Sequence, residues 1–306
     1  MTQFKTLLRR EWMQHRTGWL LLLAAPTLLL LLLSGLDGGL QLTIDNSDVQ
    51  LPPLHQVPSL VQTALLGGAV SAMTLGLALL AVGLQLPGLA RRDRQDRSVE
   101  FWCSLPVGHA KAVSATLVAH LLLLPWAALL AGMLGGALVA MVTVVASHGL
   151  GAWLQQPWGL LLLAGAALLA RLSLGLLLAL AWLSPLLLLT MAASAWLKRW
   201  GVPVLVAATL AGTLLLDKRL AQPVVQPTLN RLTGEALQAL LRLESLRVRT
   251  ARNAGDVAAF LQDLPALLLH EAVTMLGRAA TPAFALALAT AALGFWLLVL
   301  RRQRGG

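Results

Sequence analysis

The chain has 306 residues, of which 58% are hydrophobic and only 12% are charged, and its mean hydropathy is +0.76. Soluble domains carry roughly twice this charged fraction, so the composition excludes an ordinary soluble protein and predicts one polytopic membrane domain over residues 1–306. The net charge of +10 does not indicate nucleic-acid binding, because most Lys and Arg residues flank apolar runs. The single cysteine, Cys103, excludes an internal disulfide and a CxxC metal site.

The first sixteen residues predict a helix on the cytoplasmic membrane surface. Its apolar face at helical spacing consists of Phe4, Leu7, Leu8 and Trp12. Lys and Arg residues lie largely around the rest of the helix, where they can contact anionic lipids. A signal peptide is the alternative, but the apolar run 19–36 is about as long as a full span and no A-x-A-like cleavage site follows it. We interpret 19–36 as a retained first span that enters from the cytoplasm.

The second and third predicted spans cover residues 64–90 and 112–146. The polar segments before the second span and after the third contain no Lys or Arg, so the positive-inside rule places both outside the cytoplasm. The third span is longer than a bilayer needs and contains Pro125, which is typical of a kinked or tilted helix, or of one that begins in the cytoplasm.

Both of these spans carry a small residue at every fourth position, a pattern that favours close helix packing in lipid. A span that is merely rich in Gly and Ala has the same appearance. The predicted packing positions are Ala64, Gly68, Ala72 and Gly76 in the second span and Ala128, Gly132, Gly136 and Ala140 in the third.

Residues 158–200 allow two interpretations. They could form two spans with Arg171 in the turn, or one span over 172–197 preceded by an outer re-entrant or interfacial helix over 158–170. We favour one span, because it keeps the following Lys and Arg in the cytoplasm and is about 39 Å long at helical rise. Arg171 then lies at the outer interface, whereas a position within the membrane would make it a functional candidate.

The remainder of the chain predicts two more spans, over 201–216 and 282–300. The external segment between them, 217–281, contains amphipathic helices that lie against the outer leaflet or cap the bundle. The last span ends in arginines, which places the C-terminus in the cytoplasm. The predicted fold is therefore all-α, with six transmembrane helices and both termini on the cytoplasmic side of the membrane.

No motif in the sequence indicates catalysis. There is no G-x-x-x-x-G-K-[ST] P-loop and no G-x-S-x-G elbow. His270 and Glu271 begin a run like HExxH, but Thr274 stands where the second His is required. The six histidines are dispersed without a metal-ligand spacing, and acidic residues are nearly absent from the predicted spans. We therefore expect neither an enzyme nor a metal or cofactor bound by this chain.

A charge-dense cytoplasmic loop, residues 91–111, separates the second and third spans. Its run DRSVEFWCSLPV resembles the cytoplasmic loop of bacterial ABC transporter permeases of the type-2 class, in which a D-R-S-x-x-F-W-x-S-L-P-V run is familiar. The LLRREW run before the first span is similar to the interfacial helix of that class. The W-x-x-P run and the AWLKR run are similar to the fourth span of that class and to the short inner turn after it. In that class, the S-L-P-V run is often followed by a polar residue and, further on, by a Lys. This chain has Gly108 and Thr116 at those two places.

The resemblance implies the membrane subunit of an ATP-driven exporter. Two permease subunits, as a homodimer or a pseudo-symmetric heterodimer, would pair around a translocation path. Two separate ABC ATPase subunits, which carry the ATP and Mg²⁺, would grip their cytoplasmic loops. A non-transporting membrane anchor or assembly factor is the first alternative, and a secondary transporter is the second.

Within the loop, Ser98 can cap a short helix and a proline can stop it, which leaves apolar side chains to contact a partner. The predicted ATPase-docking residues are Arg97, Glu100, Phe101, Trp102, Leu105 and Pro106. The alternative is that the two aromatic residues belong to the aromatic belt at the membrane surface and that the arginines only fix the topology.

Overall fold

The structure is a computed structural model that describes residues 2–34, 57–91, 108–220, 223–241 and 254–304. These ranges are almost entirely helical and contain no strand, so the all-α prediction is confirmed for them. By length and composition, five helical segments could cross a membrane, as expected for a multi-pass membrane protein. They are Gln3–Ser34, Ser59–Leu89, His109–Leu154, Trp158–Arg219 and Pro282–Gln303.

The described residues of the first half of the chain form four α-helices. They are α1 (Thr2–Ser34), α2 (Ser59–Leu89), α3 (His109–Leu117) and α4 (Leu124–Leu154), and a π-helical turn, Val118–Leu123, joins α3 to α4. The second half adds five. They are α5 (Trp158–Leu197), α6 (Gly201–Gly212), α7 (Val225–Leu241), α8 (Ala254–Ala279) and α9 (Pro282–Gln303). A short 3₁₀ turn, Lys198–Trp200, separates α5 from α6, and a second π-helical segment, Thr213–Arg219, extends α6.

Helix α1 is continuous, so the predicted surface helix and the first span form one element. Its N-terminal part turns Leu7, Arg10 and Glu11 inward, whereas Trp12, predicted on the face that enters the lipid headgroup boundary, is 43% exposed. This part of α1 packs against α3 and the π-helical turn. The contact buries Leu7 together with two charged residues, which the hydrophobic pattern did not indicate.

The π-helical turn immediately precedes a proline. Pro125 has no backbone N–H and its ring clashes with a carbonyl of the preceding turn, so the regular hydrogen-bond pattern cannot pass through it. The ladder widens just before this point, where the N–H of Leu124 bonds to the carbonyl of Ala119, five residues earlier. The helix thus continues through the proline, and His120 lies in the widened turn.

Helix α5 has 40 residues and is about 60 Å long at 1.5 Å per residue. A bilayer with its headgroups spans only about 40–45 Å, so α5 is longer than an untilted span requires. Residues 158–170 are the first turns of this helix and not a separate re-entrant or interfacial helix. Arg171 lies within the helix and is buried. The helix ends at Lys198, whose φ of +54° is uncommon for a residue with a side chain.

Helices α7 and α8 do not lie alone on a membrane surface, because both pack against α5. One apolar cluster joins α7 and α8 to α5 and α9 through residues that include Trp182, Ala236 and Met275. Another joins α8 to the beginnings of α2 and α5 through Leu60, Ala164 and Leu264. Both helices are therefore packed on the other helices of the bundle.

The most extensive contact among the described helices is between α2 and α4. The predicted packing positions of the third span, Ala128, Gly132, Gly136 and Ala140, are all buried. A Cβ placed on Gly132 would lie 2.7 Å from the Cα of Ser71, and one on Gly136 would lie 2.7 Å from the Cα of Gly67. The two backbones therefore meet with no room for a side chain at these two glycines.

The predicted packing positions of α2 lie off this contact. Gly68, Ala72 and Gly76 are exposed and Ala64 is only partly buried. The surface that meets α4 is one residue earlier in the sequence, at Gly67 and Ser71. Both series place small residues four apart, and a shift of one residue turns the helix by about 100°.

We predict that Gly136→Ala destabilises the protein by about 1–3 kcal/mol, the usual cost of overpacking a tight interior. Gly76→Ala is the matched control, because no atom lies within 4 Å of a Cβ at that position. Loss of helical circular dichroism during SDS titration of the detergent-solubilised protein measures both variants. An equal effect of the two substitutions would contradict the packing described above.

Candidate functional site

The predicted docking residues lie outside the described part of the chain. Arg97, Glu100, Phe101, Trp102, Leu105 and Pro106 all fall within 92–107. The structure does describe the helices on either side of this segment. Helix α2 ends at Leu89 and α3 begins at His109. Because α3 follows residues 92–107 directly, the contacts of α3 show which other helices are linked to this segment.

A buried polar cluster joins α1 to α3 and to the π-helical turn. This Glu11 cluster consists of Arg10, Glu11, His15, Thr116 and His120. Arg10 Nη2 donates a hydrogen bond of 2.6 Å to Glu11 Oε1, and Thr116 Oγ1 donates one of 3.2 Å to the same oxygen. The side chain of Glu11 is only 1% exposed. A carboxylate this deeply buried needs such partners, because an isolated charge in an apolar interior is very costly.

His120 faces Glu11 from the π-helical turn. It is fully buried, and its Nε2 lies 3.4 Å from Glu11 Oε2. Within the described ranges, neither of its ring nitrogens makes a hydrogen bond. The rings of His15 and Trp19 pack edge-on against its imidazole, with centroid distances of 4.8 and 5.3 Å. A buried polar group without a hydrogen bond costs about 1–3 kcal/mol, so packing alone does not explain an imidazole here.

The Glu11 cluster places one carboxylate beside two imidazoles. One potential ligand atom from each of Glu11, His15 and His120 lies within 4.8 Å of the other two. The histidines are dispersed in the sequence without a metal-ligand spacing, whereas the fold brings two of them beside Glu11. The cluster also links α1 firmly to the helix that follows residues 92–107.

A second buried charge, Arg171, forms hydrogen bonds with both α7 and α8. Its Nη1 donates a hydrogen bond of 2.6 Å to the carbonyl of Ala239, in the last turn of α7, and its Nε donates one of 3.2 Å to Glu271 Oε2 on α8. The last carbonyls of a helix have no partner within the helix, and a cation there is favourable. Gly175 allows this approach, because a Cβ on it would collide with the Ala239 carbonyl.

The backbone N–H groups at the start of α7 also have a hydrogen-bond acceptor outside the helix. The carboxylate of Asp217 accepts hydrogen bonds from the backbone N–H groups of Val224, Val225 and Gln226, at 2.7, 3.0 and 2.7 Å. Both ends of α7 are therefore held by charged side chains of neighbouring segments.

A cavity of about 290 Å³ lies between α5, α7 and α8. Its polar lining comprises Arg171, Glu235, Gln238, His270, Glu271, Thr274 and Arg278. Arg278 bonds to Gln238 and lies 3.6 Å from Glu235 Oε2, so both arginines in the lining have a carboxylate partner. Glu271, which the sequence shows in a run like HExxH, is thus committed to Arg171.

The sequence analysis missed the Glu11 cluster, although two signals pointed to it. Glu11 is the only acidic residue in the first 36 residues, and His15 lies four positions later on the same helical face. His120 is a lone imidazole in an apolar run, close to a proline that disturbs the helix. Neither signal indicated that the two segments meet, because 105 residues separate Glu11 from Thr116.

No protein-family model matches the sequence, and no curated protein or solved structure resembles the chain closely enough to count as a match.

We predict that Glu11→Ala destabilises the protein by about 3–5 kcal/mol, the typical cost of removing one partner from a buried ion pair. Arg10 would keep its charge in an apolar interior without the carboxylate. Glu235→Ala is the control, because the side chains of Arg278 and Glu235 are 35% and 23% exposed and such pairs contribute about 1 kcal/mol or less. The SDS midpoint measures both variants. A Glu11→Ala midpoint close to that of the wild type would show that the cluster contributes nothing to the fold.

Proposed function

We propose that this chain is the membrane-spanning permease subunit of an ATP-driven exporter of the type-2 ABC class. The main observation in support of this proposal is how α3, the helix that follows residues 92–107, is attached to other helices. This segment has the sequence that resembles the ATPase-docking loop of the class, and α3 follows it directly. Helix α3 is bonded to α1 through Thr116 and Glu11 and also packs against α9.

This attachment supports a coupling role. A force applied to residues 92–107 would reach α2 at one end and α3 at the other, and α3 would pass it to α1 and α9. Packed interiors respond to such a force by moving as units, since they are not continuously deformable. A partner that binds one arrangement of these helices more tightly would shift the population towards that arrangement.

The proposed topology has six spans. Five segments have the necessary length and hydropathy, and the fourth of them, Trp158–Arg219, is interrupted by the turn at Lys198. We propose that this turn is cytoplasmic and that α5 and α6 cross the membrane in opposite directions. The cytoplasmic side would then contain Lys198, Arg199 and the three arginines close to the end of the chain, as the positive-inside rule requires.

The ATP chemistry belongs to a partner in this proposal, because the chain has no P-loop. Two permease subunits would pair around the transport path and two ATPase subunits would bind their loops. The exposed small-residue series of α2 is available for contact with a second helix.

We predict that Cys103 is accessible only from the cytoplasmic side. A membrane-impermeant maleimide should label the wild-type protein in inside-out vesicles but not in right-side-out vesicles. A Cys103→Ser/His148→Cys protein should show the opposite pattern, since His148 is exposed near the far end of α4. Labelling of both cysteines from the same side would contradict the topology.

We predict that Phe101→Ala/Trp102→Ala removes ATP hydrolysis activity from the protein purified out of its native membranes. The two aromatic side chains would form the apolar part of the docking surface, and their truncation should remove the ATPase without affecting membrane insertion. Trp200→Ala is the control, because Trp200 is 59% exposed and lies in the proposed cytoplasmic turn.

Equal ATPase recovery from the double variant and the wild type would refute the docking assignment. If the wild type never recovers a P-loop ATPase, the permease proposal fails and the membrane-anchor alternative gains support. Transport that collapses with an ionophore in the absence of ATP would instead support a secondary transporter.

A further inference from the structure

We propose that Glu11, His15 and His120 bind a divalent late first-row transition metal ion, with Zn²⁺ the best fit. A site of this kind goes beyond the permease function and does not depend on it. The ligands come from two elements, because Glu11 and His15 lie one turn apart on α1 and His120 lies on the π-helical turn before α4. Such π-helical turns are frequent at functional sites.

The distances are close to those that a metal requires. One ligand atom from each residue lies within 4.8 Å of the other two. Zinc binds imidazole nitrogen and carboxylate oxygen at about 2.0–2.2 Å, so tetrahedral ligands are roughly 3.3–3.6 Å apart. The three atoms must therefore approach one another by about 1 Å on metal binding, and His15 is only partly buried.

The second observation is the state of His120. Its imidazole is fully buried beside Glu11, yet neither ring nitrogen makes a hydrogen bond within the part of the chain that the structure describes. A metal ion takes the lone pair of one imidazole nitrogen, so it would give His120 a direct ligand bond where its 3.4 Å contact with Glu11 Oε2 is not a hydrogen bond.

The types of ligand atom indicate which metal ion would bind. Two imidazoles and one carboxylate suit Zn²⁺ and its neighbours, whereas Mg²⁺ and Ca²⁺ favour sites made of oxygen ligands. Arg10 and Thr116 both donate to Glu11 Oε1, whereas Oε2 faces His120. Hydrogen bonds of this kind orient a ligating carboxylate. A water molecule would be the fourth ligand of a zinc ion held by three side chains.

A bound ion would fasten α1 to the turn that follows α3. In the proposed permease this is the joint between the docking segment and the first span, so metal binding would restrain the movement of that joint. The metal site itself can be tested without reference to transport.

The test is a titration of the full-length, detergent-solubilised protein, without a polyhistidine tag, with Co²⁺ as a coloured substitute for zinc. We expect visible d–d absorption that saturates at one ion per chain and that disappears when Zn²⁺ is added. His15→Ala and His120→Ala should weaken Co²⁺ binding by about 100-fold or more, since changes outside the first coordination shell already cost 10–100-fold. His148→Ala, at an exposed position, should bind as the wild type does.

The His15→Ala variant decides the outcome if His120→Ala does not fold, because His15 is partly exposed and its helix packs through other residues. Size-exclusion chromatography and circular dichroism establish that each variant is folded. The proposal is overturned if the wild type gives no saturable absorption, if folded His15→Ala binds as tightly as the wild type, or if His148→Ala loses binding equally. None of these results depends on whether an ATPase partner exists.

Discussion

The close approach of α4 to α2 is the contact on which the N-terminal half of the bundle depends. Apolar helices in lipid gain little from hydrophobic burial against one another, so van der Waals packing and hydrogen bonds must hold them together. Gly132 and Gly136 let α4 meet the backbone of α2, and between them Gly135 leaves room for Thr27 of α1. One helix with three glycines on adjacent faces thereby positions two others.

The position of α1 in turn creates the Glu11 cluster. Trp19 of α1 packs with Val82 near the end of α2 and with Leu124 at the beginning of α4. This places Glu11 and His15, one to two turns earlier in α1, beside the π-helical turn. Buried ion pairs contribute little net stability but are costly to break, so such a cluster restricts the helices to one relative arrangement. That property suits a joint that transmits movement.

A comparable restriction operates at the other end of α2. Arg171 binds the end of α7 and a carboxylate of α8, while α8 packs on Leu60 near the beginning of α2. The Glu11 cluster and the Arg171 contacts are therefore at opposite ends of the bundle. In each, a buried arginine is paired with a glutamate: Arg10 with Glu11 of the same helix, and Arg171 with Glu271 of α8. Such a partner lowers the cost of burying the charge.

Much of the fold could be predicted from the sequence. The composition and the long apolar runs determined the all-α membrane class and the approximate positions of most long helices, because each run must satisfy its own backbone hydrogen bonds in lipid. The sequence also identified Gly132 and Gly136 as packing positions. In α2 it pointed to Gly68 and Ala72, whereas Gly67 and Ser71 meet α4, since both series have the same spacing and only the neighbouring helix distinguishes them.

Only the tertiary structure decided the polar sites. Hydrophobic periodicity describes one helix at a time and did not single out Glu11, and the topology argument placed Arg171 at the outer interface. Contacts between residues more than 100 positions apart, such as Thr116 with Glu11 and Arg301 with Ala195, are not encoded in any local pattern. The amino-acid sequence by itself determined that these helices enter a membrane. Their mutual packing determined which of the few charged side chains are buried and which partners they meet there.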